Sequence, residues 1–430
     1  MHYKKTRLLF IVTILLLMAG TNLQSLQNVF LFHEKSFISN DFLFKLQTPY
    51  GWRHANLNKK SVLNLTGPKQ DEYIMVIAND LSVLHNKPME QYSQATAEGI
   101  ATNLIKPVIS AVEKLKVNNF NCVMQQVRAN FMDDDGTMVG ISYTLAHIKG
   151  NNGIYQIHYW TDANLYADRF ETQMQIIESF VELPEHAVTS ETWNYIKHIG
   201  VSQIMKTLPK TFNKMMVATF GKSPVLENLG STAFPEKQMK SEVALYIAKT
   251  ANHRILKKVN DFYASALFQK IKVSEQKVFS SRDNQEKEKF IHKFNEDLKN
   301  ELKSDNSSAK KRKYLIQNII KTNGHAGQKS DITMGVMELV VYSYLDKNRQ
   351  EYNSANIRSK LISQRKKVLT RYNKELLNEY IFAYRNLTDT ELQEYINFFK
   401  SKEGYYSVQL SRNIILFLFN RASRNIYLTM

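Results

Sequence analysis

The sequence predicts an α+β domain with an antiparallel sheet and flanking helices, followed by an all-α bundle. Three observations predict it. Residues 36–183 alternate short β-rich runs with turn signals. The later runs are joined by tight Asn- and Gly-rich turns, as in a meander of antiparallel strands. After Pro235, 195 residues follow without another proline, and that span holds four glycines, Gly324, Gly327, Gly335 and Gly404. So few breakers among so much Lys, Glu and Leu mean helices.

At the start, a basic heptad precedes an apolar run that begins at Leu8 and ends at Ala19. That is the pattern of a bacterial export signal. The run is shorter than the roughly 20 residues that span a bilayer comfortably. Residues 19–25 offer no clean small-x-small triplet, so residues 1–25 are read as a signal peptide or, uncleaved, as an N-terminal anchor. No cysteine follows the run, which excludes a lipoprotein anchor. The expected location is periplasmic or secreted, with the segment from Leu8 to Ala19 as a tether to the inner membrane if it is retained.

The next elements follow in order. Residues 42–46 alternate and meet a Thr-Pro-Tyr-Gly turn, and residues 73–78 form a continuous apolar strand. Residues 90–116 are helical in pattern, kinked or broken at Pro107. Strands at 122–131, 139–148 and 154–160 make a meander, and 166–180 form an amphipathic helix with Phe170, Met174, Ile177 and Val181 on one stripe. Pairing Lys149 with Ile154 sets His147 opposite Gln156 and His158 opposite Leu145, so both histidines share one sheet face. His147 and His158 are the candidate metal ligands; no third ligand is evident nearby, and no cofactor is expected. Asp133, Asp134 and Asp135 precede Gly136, but no Glu closes a twelve-residue calcium loop, so the run reads as a solvated turn. Cys122 is the single cysteine, which rules out an intramolecular disulfide and a Cys-based metal cluster. Its apolar flanks make it a small buried side chain.

This order of elements resembles the PsbP/DcrB-like family of small exported domains. The resemblance is carried by residues 44–52, by the hairpin at Asp134-Asp135-Gly136, and by the closing helix with Ile176-Ile177-Glu178-Ser179-Phe180. It covers about a third of the chain, residues 36–183. It implies a binding or scaffolding module, because that family shares no catalytic machinery.

The helical blocks are expected at 192–216, 237–270, 283–303, 310–321, 332–353, 357–384, 389–403 and 407–427. They make up a basic all-α domain over 190–430, with sub-units at 190–303 and 330–430. The block at 389–403 is the most fully specified. Thr388 is its N-cap and Glu391 completes a capping box. Leu387 and Leu392 take the staple positions, acids precede and lysines follow, and Gly404 is placed to end the helix. Leu392, Tyr395, Ile396 and Phe399 form a core stripe. The pattern of Thr388, Glu391-Leu392, Phe398-Phe399, Ser401 and Gly404 resembles an exported bacterial helical domain of unknown function over the last seventy residues. That family carries no established activity, so nothing catalytic transfers. Leu256, Phe262 and Ser265 recur 136 residues later as Leu392, Phe398 and Ser401, and Gly200-Val201 recurs 135 later as Gly335-Val336. The echo predicts a degenerate tandem of two similar bundles.

No Gly-x-Ser-x-Gly, phosphate-cradling Gly loop or His-Glu-x-x-His is present. His2, His198, His253, His292 and His325 lack ligand spacing, and no catalytic residue is assigned. The net charge of +17 is uneven: residues 1–185 carry 16 Lys+Arg against 17 Asp+Glu, and residues 186–430 carry 41 against 23. A basic exported domain suits an anionic lipid, a cell-wall polymer or an acidic envelope protein, and not nucleic acid. The apolar run at 414–419, flanked by Arg412, Arg421 and Arg424, is read as a helix docked in the core, against an amphipathic helix lying on membrane. The expected function is envelope-associated, non-enzymatic binding or scaffolding. A periplasmic hydrolase with an inter-domain site and a secreted factor acting on a host cell are the competing readings. The hydrolase requires a polar pocket with a paired His and carboxylate.

Overall fold

The structure, a computed structural model, describes residues 34–132, 135–221, 224–280, 284–300, 308–347 and 354–428. The strand-rich part runs β1 (Glu34–Ile38), β2 (Phe44–Pro49), β3 (Arg53–His54), β4 (Leu63–Thr66), β5 (Glu72–Asn79), α1 (Met89–Ala101), β6 (Ile105–Ile109), β7 (Glu113–Val117), β8 (Phe120–Met132), β9 (Met138–Lys149), β10 (Ile154–Asp162), α2 (Tyr166–Glu178) and β11 (Val181–Glu182). The larger sheet orders β3-β4-β5-β10-β9-β8-β6, with β7 also on β8; β1-β2-β11 form a smaller one. The pairings are antiparallel throughout. One face of the large sheet carries Ile74, Val76, Cys122, Ile148, Tyr155 and Ile157, which pack with Trp52, Phe44, Ile177 and Phe180 into the domain core. Burial pushes the Cys122 thiol up to about 12, so it is an inert core atom. The opposite face is covered by α1 through Ala97 and Ala101.

Two expectations here need correction. The helix expected through residue 116 stops at Ala101, and Pro107 lies inside β6. That strand pairs on one side with β8, and its register shifts between Ile105 and Val108, which is where a residue without an N–H can sit. The buried face of α2 is Tyr166, Gln173, Ile176 and Ile177, whereas Phe170 and Val181 are exposed. In this rotation the Thr144 hydroxyl donates to the buried Gln173 Oε1 at 2.7 Å, while Ile176 and Ile177 enter the core. Asp133 and Asp134 lie outside the described residues.

The helical part runs α3 (Ser190–His198), α4 (Val201–Phe220), α5 (Pro224–Ala233), α6 (Glu236–Thr250), α7 (His253–Ala264), α8 (Ala266–Ser280), α9 (Asn284–Asn300), α10 (Ser308–Thr322), α11 (His325–Lys347), α12 (Ser354–Ala383), α13 (Asp389–Lys400) and α14 (Lys402–Tyr427). The expected long blocks are cut without proline. Gly200, at φ 71°, ends α3, and Asn252 and Ser265 each begin a new helix by capping it. The helix of α13 stops at Ser401, not Gly404. Ser401 is extended (φ −71°, ψ 165°) and its Oγ accepts from the Gly404 N–H at 3.1 Å, opening α14. Gly404 is required for a different reason: a Cβ there would collide with the backbone of Phe398 and Phe399.

The two serine corners match. α7 and α13 are both 12 residues long, and each ends at a serine that caps the next helix, Ser265 (φ −63°, ψ 152°) and Ser401. The counterparts Phe262 and Phe398 stack with centroids 3.5 Å apart and planes at 5°. Contact between equivalent residues is what two copies make where they meet about a two-fold axis. The glycine echo takes a different register. The partner of Gly200 is Gly324 (φ 72°), which separates α10 from α11 and also follows an Ile-Lys pair. Gly335 lies inside α11 against the Phe419 ring.

α14 is the hub. Ile414, Ile415, Phe417, Leu418 and Phe419 are buried in one core with Val243, Val336 and Phe212. Its arginines turn inward too: Arg412 pairs with Asp331, Arg421 with Glu242, and Arg424 reaches Asn40. The core reading of this helix therefore stands, and neither its apolar nor its basic residues are presented as a membrane-facing surface. No described helix is long and apolar enough to cross a membrane, and residues 8–19 lie outside the described residues.

Candidate anion-binding cleft between the two domains

The strand-rich part docks on the bundle through a shared apolar core and a set of polar clamps. Ile38, Phe42 and Leu183 join the core built around α14. The Arg421 guanidinium, 2 % exposed, lies over the Phe42 and Phe417 rings and donates to the Ser39 carbonyl at 3.0 Å and to Asn40 Oδ1 at 3.2 Å. Burial lowers it to about 10, with Glu242 opposing the fall. Lys35 on β1 reaches Glu338 on α11 at 2.5 Å and lies against the Tyr50 and Tyr342 rings.

Beside this seam a cleft of 410 Å³ opens between β1, β2 and β3 on one side and α6, α11 and α14 on the other. Its ionic lining is Lys35, Lys45 and Arg53 against the single carboxylate Glu338. Tyr246, Tyr342 and Tyr406 supply aromatic wall, and Gln47, Gln409, Asn413 and Asn420 supply neutral hydrogen-bonding groups. The positive field extends behind it. His54 is buried and held well below its ordinary value by burial first and then by Arg421, Arg424 and Lys35. Such a lining can hold a phosphate or carboxylate group by charge and by hydrogen bonds. It contains no histidine, so the His–carboxylate pair that a hydrolase calls for is not assembled here.

The sequence pointed to a different pair. The register pairs Ile154 with Lys149, His147 with Gln156 and His158 with Leu145, so His147 and His158 do share a face. That face lies beneath α1. The Tyr92 ring meets His147 edge-on at 5.6 Å, and His158 Nε2 is 3.3 Å from Gln156 Oε1. Burial lowers both, His158 to about 4 and, with His158 adding to the effect, His147 to about 3. Both ring nitrogens of His147 lack a hydrogen-bond partner. No group of three His, Cys, Asp or Glu side chains suited to a metal occurs among the described residues.

The cleft residues carry no sequence motif. Lys35, Lys45, Arg53 and Glu338 are 8 to 303 residues apart, and docking of the two parts brings Glu338 to the three cations. The uneven charge did not point to it either, because all three cations lie in residues 1–185, the part without the excess, and the bundle supplies the carboxylate.

No family model and no curated protein matches the chain. Several solved structures are similar to part of it. The solution structure of cyanobacterial PsbP from Synechocystis is 10 % identical, with a TM-score of 0.30, over 37 % of this chain and 98 % of that one. The Saccharomyces cerevisiae Ran-binding protein Mog1p is 10 % identical at a TM-score of 0.28, over 35 % and 95 %. LpqN, involved in cell envelope biogenesis of Mycobacterium tuberculosis, is 13 % identical at 0.26, over 35 % and 91 %. These neighbours share a PsbP/Mog1-like α+β fold, to which the antiparallel sheet and helices of residues 34–182 are similar.

Proposed function

We propose that this is an exported, envelope-associated binding protein that uses no catalytic chemistry at its inter-domain cleft and takes an anionic partner there. The observation that carries the reading is the ionic lining of the cleft, three cations from the strand-rich part against one carboxylate from the bundle. The partner is a lipid or cell-wall group bearing phosphate or carboxylate. The resemblance of residues 388–404 to an exported helical domain fits the same setting, with the segment from Leu8 to Ala19 as signal or tether.

Co-sedimentation of the full chain with phosphatidylglycerol vesicles tests the reading. Binding should weaken several-fold between low salt and about 0.5 M salt, because screening shortens the reach of exposed charges. Lys45→Glu should weaken it further at low salt. Equal binding to phosphatidylcholine vesicles, or binding indifferent to both salt and Lys45→Glu, would overturn it.

A further inference from the structure

The bundle holds a second cavity, of 230 Å³, which the cleft does not share. It lies where equivalent pieces of the two halves converge. His198 and Gly200 come from the first glycine junction, and Asn323 and His325 from the second. Tyr263 and Phe268 come from the first serine corner, and Tyr395 and Phe399 from the second. Even its deeper wall is paired: Glu275 on α8 and Ser411 on α14 stand 136 residues apart, the offset of the corners.

One wall is closed on itself. The Tyr195 hydroxyl lies 3.0 Å from Ser411 Oγ, and the Tyr263 hydroxyl lies 2.7 Å from Ser407 Oγ. Those serines are engaged by tyrosines, not by a histidine, so no nucleophile–base pair is formed. On the other wall, Tyr384 donates to Glu275 Oε1 at 2.5 Å and Tyr380 bonds His325 Nδ1. Glu275 has no ion pair among the described residues, although Lys272, one turn before it on α8, also lines the cavity. Tyr263, Phe268, Tyr395 and Phe399 line the cavity with it. A part-buried carboxylate without an ion pair is unfavourable, and a ligand cation relieves that cost. Aromatic faces attract the same cation through their quadrupoles.

We propose that this cavity binds a small organic cation, its ammonium group paired with the Glu275 carboxylate and enclosed by Tyr263, Phe268, Tyr395 and Phe399. The volume suits a small alkyl ammonium or the amine end of something longer.

The surrounding charges leave Glu275 in control of the pH response. Burial pushes its carboxyl up to about 7, against the Tyr384 hydrogen bond and Lys329. From α11, His325 is lowered to about 4 by burial and Lys329, and Lys329 itself is paired with Glu379 on α12 at 3.4 Å. From α3, His198 is lowered by burial and then by Lys272 and Lys197. The tyrosines of α7, α12 and α13 are raised and stay neutral. An ammonium binds the ionised carboxylate, so its affinity rises with pH through about 7.

Calorimetric titration of the full chain with ethylammonium tests this. We expect binding about tenfold weaker at about pH 6 than at about pH 8, following the ionised fraction of a group near 7. Ethanol, neutral and of similar size, should not bind, a control that leaves the protein unchanged. Glu275→Gln should remove ethylammonium binding while the circular dichroism spectrum is kept. Ethanolamine that competes where phosphatidylethanolamine vesicles do not assigns the cation to a soluble amine; competition by the vesicles assigns it to a lipid headgroup. Ethanol binding as well as ethylammonium, a folded Glu275→Gln that binds as the parent does, or no binding to the parent at either pH would overturn the proposal.

Discussion

Asp331 is 1 % exposed and holds two arginines, Arg365 at 2.8 Å and Arg412 at 2.8 Å, tying α11 to α12 and α14. Asp331→Ala leaves both guanidinium groups nearly buried and without that partner. We expect a loss of about 3 kcal/mol in urea unfolding, at the lower end of what breaking a buried ion pair costs because both arginines retain some water. The histidines beneath α1 make a pH prediction. His147 and His158 are neutral in the fold, held at about 3 and about 4 against an ordinary 6.5. Their contribution to stability is complete above about pH 6.5 and is lost as the pH falls through the acid range, because the unfolded chain then binds protons that the folded chain refuses. Unfolding followed at about pH 7 and about pH 4.5 should show this loss, and His147→Leu should reduce it. Glu275 works in the other direction: its raised carboxyl contributes most below about 4.5 and the contribution fades as the pH rises through about 7. At this scale the sequence showed which histidines shared a sheet face, since register follows from turn and alternation. Glu275 left no trace in the sequence, because a lone acid in a helix looks like a solvated one until aromatic rings from other helices line a cavity with it.

Among the elements, α13 is the clearest case of local instruction. Thr388 Oγ1 accepts from the Glu391 N–H at 3.2 Å, and Glu391 Oε2 accepts from the Thr388 N–H at 2.7 Å, the reciprocal box the residues spell out. Burial of Leu392, Tyr395, Ile396 and Phe399 follows the predicted stripe. Thr388→Ala should cost about 1 kcal/mol in a thermal or urea melt. Gly404→Ala should cost more, about 1–3 kcal/mol, as overpacking against immovable backbone does. If Gly404 merely ended a helix in a left-handed conformation, Asn there would be tolerated; against the Phe398 carbonyl, Asn should fail as Ala does. The break at Ser401 was hidden for a physical reason. A serine can stop one helix and cap the next with a single side chain, and no proline or glycine is then needed to announce the corner. The same device at Ser265 hid the start of α8.

For the whole molecule, docking of the two parts is the decisive event. Phe42 from the strand-rich part enters the core around α14, and Arg421 closes over it. We expect a single cooperative unfolding transition in calorimetry, and Phe42→Ala to lower its stability by about 3 kcal/mol, as loss of a large core aromatic does. Two resolved transitions in the unaltered protein would show that the seam does not couple the parts. By itself the sequence determined the fold class, the antiparallel meander with the register of its last hairpin, the capped start of the helix at 389 and the confinement of the positive excess to the helical part. These rest on short-range periodicity, turn chemistry and capping, which act between residues a few positions apart. Tertiary structure alone decided the inward turn of the α14 arginines, the matching serine corners, the cationic cleft and the chamber around Glu275. Each depends on residues tens to hundreds of positions apart, and only packing sets the distances at which their charges and rings act.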